Sequence, residues 1–140
     1  MTAGCGSDSP PTTGPLSAAE WREKVNALCA EIGPKIRRVP RPRAESEIAS
    51  FVAAVIPLWK REEDGVRALV PPAELATTAR ELVEALGYVN IALLEIHIST
   101  QRNDGLRRFD AVRRSEAAAR DVKLKAQVLR LPACARQRIP

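Results

Sequence analysis

Leu75, Ala79, Leu82, Leu86, Val89, Leu93 and Ile96 recur at alternating steps of four and three. Only an α-helix brings all seven to one side, and a strand would scatter them over both faces. Ile91, Leu94 and Ile98 widen the apolar face in the second half of this run. A helix apolar over most of its circumference must be covered on most sides, which predicts a central position in a helical core.

The rest of the chain follows the same period. Ser17-Ala-Ala-Glu20 is a capping box, and Trp21, Val25, Leu28, Ile32, Ile36 and Val39 follow it as one stripe. Pro34 cannot donate to residue 30, so helix 1 is expected to kink or end there. Helix 2 is expected from about Glu45 to Leu69, with Ile48, Phe51, Val52, Val55, Leu58, Trp59, Val66 and Leu69 facing inward. Pro57 should bend it, and Arg61-Glu62-Glu63-Asp64-Gly65 reads as a polar turn of helix. Val70-Pro71-Pro72 is a corner, with Pro72 near the first position of helix 3. Residues 99–104 end that helix, and Asp104 can cap helix 4. There Phe109, Val112, Ala119, Val122, Ala126 and Leu129 form a narrower stripe before Pro132. No strand pattern competes. The expected fold is all-α, an antiparallel four-helix bundle with kinked helices over 17–140, preceded by an extended N-terminal tether. One tension accompanies it: Leu131 to Ala135 must fold back along helix 1, or helix 4 must be short.

Residues 1–100 carry 11 Lys/Arg against 13 Asp/Glu, whereas residues 101–140 carry 11 against 4. Within the first part Lys35, Arg37, Arg38, Arg41 and Arg43 form a local basic run. With Arg113, Arg114, Arg120, Lys123, Lys125 and Arg130 of helix 4 these are candidate contacts to an anionic surface. The plain alternative is a solvated helix face. Aromatics are only 4% of the chain, so stacking platforms for bases are scarce and nucleic acid is not the expected partner. There is no run of 18 apolar residues.

Residues for catalysis are not assembled. His97 is the sole histidine and stands two from Glu95, on a different helical face, so no helical carboxylate–histidine metal site is written. It reads as a satisfied structural histidine. Glu81 and Glu84 share a face but read as the solvent side of helix 3. Phosphate loops, nucleophile elbows and Cys–His pairs are missing from the sequence. Neither an enzyme, a metal nor a cofactor is expected. Trp21 and Trp59 lie on apolar stripes, as core residues or as walls of a cavity for an apolar ligand.

Thr2-Ala3-Gly4-Cys5 followed by Gly-Ser-Asp-Ser-Pro-Pro-Thr-Thr-Gly resembles the lipobox and tether of bacterial lipoproteins, notably those of high-GC Gram-positive bacteria. Ala3 and Gly4 match the small residues before the acceptor, and Cys5 matches the lipidated cysteine. Thr2 stands where that family more often has Leu. The resemblance implies that residues 1–4 are a signal-peptide remnant and 5–16 a linker. As a flexible coil, residues 6–15 would span roughly 15–20 Å. It also implies export. With Cys5 committed to lipid, Cys29 and Cys134 remain as a pair that an oxidising compartment would bridge, the alternative being two buried free thiols. Leu28-Cys29-Ala30, Pro71-Pro72-Ala73 and Leu131-Pro132-Ala133-Cys134 are similar to motifs of a loose group of actinobacterial lipoproteins. That resemblance implies a disulfide-clamped helical domain on the outer face of the cell membrane. It implies no activity.

The expected function is that of a binding module of the envelope, held to the membrane by its lipid, with an envelope protein or an apolar ligand as partner. The alternative is a cytoplasmic basic helical protein that binds nucleic acid or another protein.

Overall fold

The Ser17 hydroxyl accepts from the Glu20 amide at 3.2 Å, and the Glu20 carboxylate accepts from the Ser17 amide at 3.0 Å. Two donors that a helix start leaves open are thereby satisfied. The Ser17 side chain is the main cause holding the Glu20 carboxyl below its ordinary pKa. The computed structural model describes residues 14–136, so Cys5 and most of the expected tether lie outside the described residues. From the capping box run α1 (Ala18–Arg38), α2 (Ile48–Arg67), α3 (Ala76–Gln101), α4 (Gly105–Val128) and a short α5 (Pro132–Ala135).

The expected starts of two helices shift inward. One 3₁₀ turn, Glu45–Glu47, leads into α2, and another, Ala73–Leu75, separates Pro72 from α3. Asp104 caps α4 as expected, its Oδ1 accepting from the Arg107 amide at 3.0 Å. Pro34 and Pro57 both sit inside continuous helices. Each removes one ladder bond. Ile32 and Ile36 are buried on either side of Pro34, and Val55 and Trp59 flank Pro57. The apolar surface they bury outweighs the missing bond, so neither helix ends.

Side-chain pairs fix the topology. Arg61 reaches Glu31 at 2.8 Å, Asn90 donates to Glu63 at 2.7 Å, Lys125 meets Glu81 at 2.7 Å and Arg107 meets Glu95 at 2.9 Å. With Trp21 on Leu69 and residues 66–69 beside 76–83, these pairs make successive helices antiparallel, and α1, α2, α3 and α4 pack in that order as neighbours. The all-α bundle stands. Between α1 and α4 there is no helix–helix interface of similar extent; α5 packs on both and bridges them.

The tail does fold back. Arg22 Nε donates to the Leu129 carbonyl at 2.9 Å, Ala133 N–H donates to Asn26 Oδ1 at 2.8 Å, and Cys134 is bonded to Cys29. α5 thus climbs α1 from its first turn toward its middle.

Two apolar faces depart from the expected stripes. α3 is covered by α2 and α4, but its outer side leaves Tyr88, Ile91 and Leu94 between 50% and 64% exposed. On α4, Phe109 and Val112 face outward, while Ala111, Ser115, Ala119, Val122 and Ala126 are buried. Small residues win there because α3 offers Ala85, Ala92 and Ser99 every seven residues on the flank that carries Glu81 and Glu95. Two such surfaces let the backbones approach, and a Phe between them would hold them apart. By mean hydropathy, 1.4 over 18 residues, Ala73–Gln101 is apolar and long enough to cross a membrane, although the sequence shows no uninterrupted apolar run. Its inner side is spent on the bundle core.

Candidate anion-binding groove

The seam between α1 and α4, left unpaired by the helix order, is a groove of about 1350 Å³. Arg37 stands near the end of α1 and Arg41 in the following loop. Arg120 and Lys123 project from α4, Arg130 from the corner after it, and Arg136 follows α5. Ala119, Ala126, Leu131, Pro132 and Ala135 make an apolar floor, and Glu116 is the single carboxylate among the lining residues. Among the described residues none of the six cations is ion-paired. Six guanidinium or ammonium groups around one concave surface with a single carboxylate create a positive potential that only a bound anion or counterions can offset.

Five of the eleven basic residues expected from sequence meet here: Arg37, Arg41, Arg120, Lys123 and Arg130. Others are neutralised locally. Lys35 pairs with Glu31 at 2.9 Å and Arg114 with Asp110 at 3.0 Å. Lys125 pairs with Glu81, and that hydrogen bond is the main cause of its raised pKa. Glu81 is half-buried by this contact, not simply solvent-facing. Arg38 and Arg113 are exposed away from the groove. Arg43 borders a separate shallow cleft, and its N–H donates to Glu47 at 2.6 Å. Arg136 escaped the sequence reading, since it lies past the last helical stripe and only the tail's return along α1 brings it in.

Arg130 carries a second signal. Its φ is 60°, and Leu131 N–H donates back to the Ala126 carbonyl at 2.8 Å. This is the helix-ending geometry in which glycine is the usual residue, because a Cβ is strained there. At the equivalent position after α3 the chain uses Asn103, with φ 54°, a residue that tolerates the conformation well. Arg130 thus stands at the groove rim in a backbone conformation that its Cβ strains. Arg130→Gly is therefore expected to raise stability by up to about 1 kcal/mol. Chemical denaturation checks this, and a loss of stability would mean that the Arg130 side chain is a structural strut.

Other candidate groups are dispersed. Cys29 and Cys134 form the expected disulfide. Glu62, 1% exposed, places Oε1 3.2 Å from Cys29 Sγ; a bonded sulfur has no hydrogen to donate, so this is a contact and not a hydrogen bond. These three side chains are the one His/Cys/Asp/Glu group of metal-binding dimensions among the described residues, and the disulfide occupies both sulfurs. Glu63 is buried too, between Arg67 and Asn90. The expected polar turn thus points two carboxylates inward. His97 is half-buried, and its Nδ1 has no partner among the described residues. Trp59 is core, whereas Trp21 both packs in the core and walls a small apolar pocket.

Comparison of the chain with protein-family models, with curated proteins and with solved structures returned no match.

Proposed function

We propose that this chain is a binding module of the cell envelope, tethered by lipid on Cys5, whose groove receives the phosphate groups of an anionic membrane surface. The observation that carries this reading is the convergence of Arg37 and Arg41 with Arg120, Lys123, Arg130 and Arg136 around one seam with a single carboxylate. The groove runs along the side of the bundle, and the tether enters at one end, where Leu16 N–H donates to the Val70 carbonyl at 3.1 Å. A domain on a linker of roughly 15–20 Å can lie on that side, within a few Debye lengths of the headgroups. The module has no reaction of its own.

The test uses the unlipidated chain and vesicles of phosphatidylglycerol with phosphatidylcholine, against phosphatidylcholine alone. Each basic residue near an anionic surface contributes about 1 kcal/mol. The Arg120→Ala, Lys123→Ala double variant should therefore bind roughly thirtyfold more weakly, and added salt should weaken the parent similarly. Arg130→Gly should lose about fivefold while gaining stability, a divergence that misfolding cannot produce. Arg38→Ala and Arg113→Ala should change binding little. Equal binding to neutral vesicles would overturn the reading, as would tight, sequence-selective DNA binding at physiological salt.

A further inference from the structure

We propose a second, independent site: the pocket between the first turn of α1, the end of α2 and the start of α3 binds a single-chain organic carboxylate. Trp21, Val66, Leu69, Pro71, Ala79 and Val83 wall it. Its volume is about 360 Å³, at the lower end of small-ligand sites. That suits a medium-length acyl chain and is too small for a docking helix.

The charge at the mouth selects the head group. Arg67 and Arg80 are the charged residues of the lining, and no carboxylate is among them. Arg67 is already held by Glu63. Arg80 is exposed and has no ion pair among the described residues. The Trp21 indole N–H is spent on the Leu69 carbonyl at 3.3 Å, so the wall around it is apolar and the free polar recognition lies at Arg80. An apolar slot with an unpaired guanidinium at its mouth fits a chain that ends in a carboxylate. A neutral alcohol would leave Arg80 unpaired, and an amine would be repelled.

Decanoate is the probe, titrated below its micelle concentration into the full chain and followed by calorimetry and by tryptophan emission. The expected result is one saturable site that shifts the emission. Decanol should bind at least tenfold more weakly and decylamine weaker still. Arg80→Glu, at an exposed position, should lower decanoate affinity at least tenfold, and Val83→Trp should abolish binding by filling the slot. The groove variant Arg120→Ala, Lys123→Ala should bind decanoate like the parent, which separates this site from the membrane-facing groove. Failure of decanoate to bind overturns the proposal. So does decanol binding as tightly as decanoate, or loss of decanoate only in the groove variant.

Discussion

Replacing Cys29 and Cys134 together by alanine is expected to lower the unfolding free energy by about 4–5 kcal/mol, the chain-entropy value for a loop of about a hundred residues; the two cysteines are 105 apart in sequence. Among the described residues few hydrogen bonds besides hold the tail. Beyond Leu131, which is fully buried, it has the Ala133 amide on Asn26, with Arg22 on the Leu129 carbonyl at its root. Each such hydrogen bond is worth about 1 kcal/mol net, not enough to keep α5 docked against the entropy of releasing it. The midpoint of thermal unfolding should fall by roughly 10–20 °C, and trypsin should cut after Arg130 or Arg136 before the bundle unfolds. Because α5 supplies one wall of the groove, vesicle binding should weaken as well. Reductant should reproduce these effects in the parent chain and leave the variant unchanged. An identical midpoint with and without reductant would show that α5 is held by packing alone.

What the sequence discloses, and what it hides, follows from the range of the interactions concerned. The α3 stripe, the Ser17–Glu20 box and the Asp104 cap are local patterns, readable within a turn or two of helix. At Pro34 and Pro57 the cost is local and legible, whereas the burial that keeps both helices running, around Ile32, Ile36 and Trp59, comes from other helices. The face of α4 misled for a related reason. Phe109 and Val112 are more hydrophobic than Ala111 and Ser115, but burial against α3 is decided by fit, and the alanine flank of α3 admits only small partners.

The groove was half legible. Both basic runs stood out as charge, but charge alone does not separate Arg114, paired with Asp110 one turn away, from Arg120, which has no such partner. It also gives no hint that residues 37–41 and 120–130 share a seam, since that depends on α1 and α4 being the two ends of the helix row. The backbone conformation of Arg130 could not be read at all. Gly or Asn announces a helix-ending turn, and an arginine in that place leaves no trace in composition. The inward turn of Glu62 and Glu63 was missed because Cys29 and Asn90, against which they lie, belong to α1 and α3.

Trp59→Ala should cost about 3–5 kcal/mol, the range for emptying a large aromatic site in a packed core, since Trp59 is buried at the middle of α2. Trp59→Phe should cost far less, under about 1.5 kcal/mol. Its Nε1–H is buried without a hydrogen-bond partner among the described residues, and an unpaired buried donor carries a penalty of about 1–3 kcal/mol. Phenylalanine removes that penalty together with part of the ring, so gain and loss largely cancel. Trp21→Phe gives the contrast. The Trp21 indole donates to Leu69, so phenylalanine there strips a partner from a part-buried carbonyl and enlarges the adjoining pocket, at an expected cost of about 1–3 kcal/mol. Urea unfolding of the three variants, compared at a common slope, measures the order directly. If Trp59→Phe proves as costly as Trp21→Phe, the Trp59 indole is hydrogen-bonded after all, with bound water as the partner to look for.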